Sequence, residues 1–255
     1  MAGPADDGDR WIRRFHPAPD SRLRLVCFPH AGGSASFFHS FSAALSPGIE
    51  VLAVQYPGRQ DRLGEPSIED VEQLAELVHR ALRPWRDRPL AFFGHSMGAA
   101  VAFETARRLG DDGGAAGPVM LFASGRRAPS WTDGESVHQG DDDALIEHIR
   151  LLSGTDSRVL DDEELLRVVL PAIRSDFRAI ETYRCPPGRR IGSPTTVLLG
   201  DTDPRATPEQ AEAWREHTDA SFEKRVFPGG HFYLTPRQDE VVAAVADRLA
   251  AFVRR

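Results

Sequence analysis

Cysteine is scarce in this sequence: Cys27 and Cys185 are the only two among 255 residues. Two cysteines this far apart make neither a disulfide scaffold nor a cysteine-based metal framework. Cys27 lies in the apolar run LRLVCF and reads as a core thiol. Cys185, in YRCPPG, reads as a loop residue. Positive charge is not in excess either. Lys and Arg number 31 against 38 Asp and Glu, a formal net charge of -7, which argues against a nucleic-acid partner. No apolar stretch nears the ~20 residues of a bilayer-spanning helix, and the acidic opening MAGPADDGDR is not a secretory leader. The expectation is a soluble, cytoplasmic protein with no membrane partner. G-x-G-x-x-G and P-loop patterns are missing, so nucleotide binding has no signature. No cofactor and no metal is expected.

What is present is a sizeable apolar fraction, 41%, in a length that suits one α/β domain with an insertion. WIRRF reads as a first edge strand. Short β-rich runs follow at residues 22–28 and 50–56, and again at PLAFFG, residues 119–125, PTTVLLG and SFEKRVF. Helical spacing alternates with them. In residues 68–85 Ile68, Val71, Leu74, Leu77, Val78 and Leu82 share a face, with Ser67 as the expected N-cap and Asp70 three residues on. Further helices are expected over residues 97–110, stopped by Gly110, after Thr207-Pro208, and over residues 237–253. Residues 111–118 read as a surface loop. Alternating strands and helices predict a mostly parallel sheet covered on both faces.

The alternation breaks between Pro129 and Ser193, where two amphipathic helical stretches occur and no strand. Pro171 is expected to interrupt the second of them. The resulting division is a tail over residues 1–10, an α/β core over 11–129 and 194–255, and a helical lid over 130–193.

The chemical signal is GHSMG, Gly94 to Gly98, between an apolar strand and a helix. A serine hydroxyl is a weak nucleophile until a base takes its proton. On a sharp strand-to-helix bend, with glycines two residues before and after, its Oγ stands clear of the sheet. Ser96 occupies that position. The chain order Ser, acid, His is met downstream. GDTDP and PGGHF each follow a predicted strand, at the sheet end where open α/β folds build their sites. His231 is the candidate base. Asp201 and Asp203 compete as its orienting acid; Asp203, farther along the loop, is preferred. For the tetrahedral oxyanion, the backbone N–H of Met97 is one candidate donor. The loop CFPHAGGSASFF offers that of Ala31 as a second.

With those residues in place, the chain resembles the type II thioesterases that accompany modular polyketide synthases and non-ribosomal peptide synthetases. The resemblance rests on FPHAGGSASFF, VQYPGRQDRLGEP, FFGHSMGA, LPAIRSDFRAIETY, LLGDTDP and FPGGHFYL, and spans nearly the whole chain after residue 10. GHSMG is shared with many hydrolases; PHAGG, YPGRQ and LPxxRxDFxxxExY are more specific. The resemblance implies an α/β-hydrolase fold with a helical lid. It implies an editing enzyme that clears short or aberrant acyl groups from the phosphopantetheine arm of an acyl or peptidyl carrier protein. It implies Ser96 as nucleophile, His231 as base and Asp203 as its acid, with Met97 and Ala31 as oxyanion donors.

Leu151, Leu152, Leu165, Leu166, Val169 and Phe177 are then expected to line an acyl chamber. Pro171, Gly154 and Pro186-Pro187-Gly188 are expected to permit lid movement. Carriers of this kind are usually acidic, so docking on a net acidic enzyme would need a local basic patch. Arg59, Arg62, Arg126 and Arg127 are its candidates. Three alternatives stand beside this reading: a product-releasing thioesterase, a small-molecule carboxylesterase and a catalytically silent binding module. A start at Met1 favours a free-standing protein over a releasing domain fused to its synthase. The silent module should have lost one of the three catalytic residue types.

Overall fold

The computed structural model describes residues 10–112, 117–132, 134, 136–152 and 163–253. Residues 1–9 of the expected tail, the middle of the 111–118 loop and Gly154 fall outside them. Seven strands form one sheet: β1 (Ile12–Arg13), β2 (Arg24–Phe28), β3 (Glu50–Val54), β4 (Leu90–His95), β5 (Met120–Ser124), β6 (Thr195–Gly200) and β7 (Phe222–Phe227). Their spatial order is β1-β3-β2-β4-β5-β6-β7. The pairing is parallel throughout except at β1, which runs antiparallel to β3 at the edge.

Side chains along these strands alternate between two cores, as the two-residue period of a pleated strand requires. On β2, Val26 and Phe28 face one layer and Leu25 and Cys27 the other. The first layer is closed by α2 (Val71–Ala81) and α3 (Met97–Asp111). The second is closed by α1 (His39–Leu45) and α7 (Gln238–Val253). Cys27 is fully buried, which pushes its thiol pKa up. Both cysteines are free.

Between β5 and β6 lie α4 (Asp142–Leu152) and α5 (Glu163–Thr182), and β6 leads to α6 (Pro208–Glu212). The two helices α4 and α5 share a small core of their own, built on Leu145, Ile149, Leu166, Leu170, Ile173 and Phe177. No helix among the described residues is long and apolar enough to cross a membrane.

Local details differ from the sequence reading at four places. Helix α2 begins three residues later than Ser67 would have it. Asp70 is its N-cap, accepting a hydrogen bond from the Gln73 amide at 2.7 Å, so the carboxylate supplies the acceptor expected of Ser67. Gly110 does not stop α3, which runs on to Asp111. Helix α5 runs unbroken through Pro171. A proline in a helix interior removes one hydrogen bond and crowds the preceding turn. Here Leu166, Leu170, Ile173, Phe177 and Ile180 form one buried stripe that spans the proline and holds both halves in line. The helical run after Thr207-Pro208 splits. Thr207 forms a capping box with Gln210, but α6 ends at Glu212 and a 3-10 turn covers Ala213–His217.

Candidate active site

The site is assembled at the carboxyl ends of the parallel strands. Strand β4 delivers His95, the chain turns at Ser96, and α3 starts at Met97. Ser96 has φ 54 and ψ -118, a conformation L-residues avoid at a cost of about 1–3 kcal/mol. Its amide donates to the Ser124 carbonyl at 2.8 Å, and its carbonyl accepts from the Ala99 amide at 3.0 Å. The flanking glycines are a matter of space. A Cβ on Gly94 would sit 2.2 Å from the Gly98 carbonyl oxygen, and one on Gly98 would sit 2.1 Å from that of Phe28. The second contact also places the end of β2, where the Pro29-His30-Ala31 loop begins, against the serine turn.

His231 Nε2 lies 3.0 Å from Ser96 Oγ. His231 Nδ1 lies 3.0 Å from both carboxylate oxygens of Asp203. An ionised carboxylate only accepts, so Nδ1 carries the proton and Nε2 is left to accept from the serine hydroxyl. Asp203 and His231 are buried, at 6% and 3% exposure, while Ser96 is partly open. The Arg205 amide donates to Asp203 Oδ1 at 2.8 Å and fixes the carboxylate. Asp201 has a different task. Its Oδ1 accepts from the Gly229 amide at 2.8 Å, tying the β6 loop to the loop that presents His231.

Two further histidines surround His231. The ring of His95 is 5.1 Å from that of His231, the ring of His30 is 5.8 Å from that of His95, and Phe232 meets all three edge-on. Burial, with His231 and Arg59 nearby, lowers the His30 pKa to about 3. Burial, with His231 and His30 nearby, takes His95 well below the ordinary histidine value. Both imidazoles are therefore neutral and put no cation beside His231. His95 Nδ1 pairs with Ser124 Oγ at 3.0 Å, and Ser124 Oγ with Tyr233 OH at 2.8 Å. Burial first, with Asp203 nearby, raises the Tyr233 pKa, so this chain is neutral throughout. Nothing in the sequence gave Ser124 or Tyr233 a role: Ser124 ends a strand, and in FPGGHFYL the chemical signal is His231.

The helices between β5 and β6 roof the site. His30, Ala31, Ile149, Leu152, Ile173, Phe177 and Phe232 enclose a gap of about 20 Å³. That is room for about one water. A groove of about 390 Å³ lies alongside, lined mainly by Gly32, Arg59, Leu63, Val169, Ala172 and Ile173. A larger groove, about 640 Å³, lies at the opposite end of the sheet near Arg107, Pro118, Ile191 and Phe252, and holds none of these groups.

Of the six expected chamber residues, Leu152 and Phe177 border the small gap and Val169 the adjacent groove. Leu166 packs inside the helical core. Leu151 and Leu165 face outward, at 71% and 45% exposure, so they do not line a chamber. Their helix positions fall on the solvent side of the stripes that pair α4 with α5. The basic patch needs the larger correction. Arg59, Arg62 and Arg127 are buried and Arg126 is half-buried. Arg59 forks onto Asp176. Arg62 donates to Glu65 Oε2 at 2.6 Å and to the Gln55 carbonyl at 2.7 Å, and stacks on Trp11. The Arg126 carbonyl accepts from the Trp214 indole at 2.9 Å. The Arg59 and Arg62 guanidiniums, committed to partners within the chain, present no docking field. The clue was their place just past the ends of buried strands.

The model of the family described as Thioesterase domain matches residues 23–249. The chain is 55% identical over 244 residues to a probable cadicidin biosynthesis thioesterase of Streptomyces griseus, covering 96% of this chain and 67% of that one. It is 54% identical over 244 residues to thioesterase PikA5 of Streptomyces venezuelae, covering 95% and 86%. Among solved structures, the type II thioesterase BorB from the borrelidin biosynthetic cluster superposes with a TM-score of 0.87 at 48% identity, covering 94% of this chain and 98% of that one.

Proposed function

Because the chain belongs to the thioesterase domain family, we propose that it hydrolyses acyl thioesters held on the phosphopantetheine arm of carrier proteins, in an editing role beside a polyketide or peptide assembly line. The observation that carries the proposal is the continuous relay from Ser96 Oγ through His231 to Asp203, at 3.0 Å per step, in a chain similar along its length to type II thioesterases.

In this reading His231 Nε2 takes the Ser96 proton as Oγ attacks the thioester carbonyl. Asp203 holds the imidazole in the needed tautomer and stabilises the imidazolium. The negative charge that develops on the carbonyl oxygen falls to two backbone donors. Met97 begins α3, whose fifteen aligned peptides add a partial positive charge there. Ala31 lies in the loop packed against the serine turn. His231 then returns the proton to the departing pantetheine thiol. Water, deprotonated by the same nitrogen, attacks the acyl-serine; the bond from Ser96 Oγ to the acyl carbon breaks, Nε2 returns the proton to Oγ, and the acid leaves. Each step moves one proton at Nε2, and nothing else is consumed but water.

The test is a comparison of substrates. Acetyl- and propionyl-loaded carrier protein should be hydrolysed with a kcat/KM well above that of the matched N-acetylcysteamine thioesters and of a nitrophenyl ester. Ser96→Ala should remove the activity by several orders of magnitude, as loss of a triad nucleophile does. Equal turnover of esters and indifference to the carrier would leave a carboxylesterase instead.

A further inference from the structure

Two distinctive sequence motifs, YPGRQ and LPxxRxDF, contribute no atom to the Ser96–His231–Asp203 relay. They meet each other instead. The Arg59 guanidinium forks onto Asp176 of α5, with Nη1 2.7 Å from Oδ2 and Nη2 2.9 Å from Oδ1. The same pair grips the loop between β2 and α1 from both sides. Asp176 Oδ2 accepts from the Gly32 amide at 2.7 Å, and Arg59 Nη1 donates to the Gly33 carbonyl at 2.9 Å. Gly32 has φ +75, and a Cβ there would lie 2.9 Å from Ile173 Cγ1, so the loop backbone is pressed directly on α5. Gln55 completes the frame, accepting from the Ala35 amide at 2.7 Å and donating to the Arg59 carbonyl at 3.2 Å.

The residue before this grip is Ala31. An oxyanion donor works only within a few tenths of an ångström of its place, and a displacement of about 1 Å costs roughly 10²-fold in rate. The pair is also costly to leave half-made. Asp176 is 1% exposed and Arg59 8%, and removing one partner strands a buried charge. Such a pair could have joined α5 to the core at many points. It does so on the two peptides that follow Ala31.

We propose that Arg59 and Asp176 are positioning residues for the oxyanion site, fixing the Ala31 N–H by clamping Gly32 and Gly33 between the β3 loop and α5. The proposal rests on the thioesterase reading above. Helix α5 is on this account part of the catalytic frame as well as a roof.

The experiment uses the full chain and an acetyl-N-acetylcysteamine thioester, with a trifluoromethyl ketone analogue whose Ser96 adduct mimics the tetrahedral oxyanion. Asp176→Asn keeps the volume and removes the charge. Arg59→Lys keeps the charge and removes the fork, which a lysine cannot reproduce. The expected result is a kcat lowered roughly 10- to 100-fold with KM within about threefold, and a ketone Ki raised by the same factor as kcat/KM falls. Folding is checked by circular dichroism and thermal unfolding. Wild-type kcat and Ki in a folded variant overturn the proposal, as does a fall in kcat with no matching rise in Ki. Loss of folding in both variants also contradicts it, since the pair would then hold the domain rather than the loop. A wild-type enzyme with no thioesterase activity fails the earlier reading first, and the two failures are thereby distinguished.

Discussion

Each position around Ser96 is occupied for a reason that can be stated in ångströms. The two glycines of GHSMG leave room for backbone on backbone, and the serine bears an unfavourable φ of 54 that the Ser124 carbonyl and the first turn of α3 hold in place. The serine and histidine were legible from sequence because their residue types, order and strand-end positions are dictated by chemistry. The acid was less so. Asp201 and Asp203 differ by two residues, and only the fold gives one to Gly229 and the other to His231. His30 and His95 were not legible at all, since their role is burial. That burial has a measurable consequence. An unfolded histidine binds its proton near about pH 6.5, whereas folded His30 does so at about 3. Between those values the unfolded chain holds more protons, so stability is complete above about pH 6.5 and falls with pH below it. At pH 5 the loss from His30 alone is about 2 kcal/mol, and His95, shifted the same way, adds to it. Urea unfolding at pH 7.5 and 5.0 should show the drop, and His30→Gln should shrink the difference between the two pH values. Equal stability of the wild type at both would contradict the assignment.

At the scale of elements, strands and helices of the core were readable because period and composition agree with their burial. The places where reading failed share a cause. Ser67 looked like a cap and Asp70 is one, because the choice lies in side-chain reach rather than residue type. Pro171 looked like a break, but a buried stripe from Leu166 to Ile180 outweighs the local penalty. Arg59 and Arg62 looked like surface charge, but buried Asp176 and half-buried Glu65 hold them in place. A single sequence shows a residue's type but not its partner. The roof of the site carries its own prediction. The gap bounded by Leu152, Phe177 and Ala31, about 20 Å³, has no space for an acyl chain, so a longer chain that takes this route, rather than the adjacent groove of about 390 Å³, must move those side chains. Leu152→Ala should raise kcat/KM for an octanoyl thioester relative to the acetyl one by about tenfold, the scale on which a pocket distinguishes methylene groups. An unchanged ratio would mean that the chain is accommodated elsewhere.

For the molecule as a whole, the alternation of β and α was enough to anticipate a parallel sheet with its site at the strand ends, and the antiparallel β1 adds only an edge. Net charge of -7 gives no long-range attraction to an acidic carrier, and the four arginines proposed to supply it locally face inward or are half-buried. On the proposed function, these four arginines therefore do not steer a carrier to the site. The central claim is that Ser96 takes the acyl group from the carrier's pantetheine arm. The most direct measurement mixes acyl-loaded carrier protein with the enzyme, quenches in acid within milliseconds, and maps both proteins by mass spectrometry. The account predicts an acyl adduct on the peptide containing Ser96 and an equal amount of carrier with a free pantetheine thiol. Release of that thiol without any acyl-Ser96, at a rate untouched by Ser96→Ala, would contradict it.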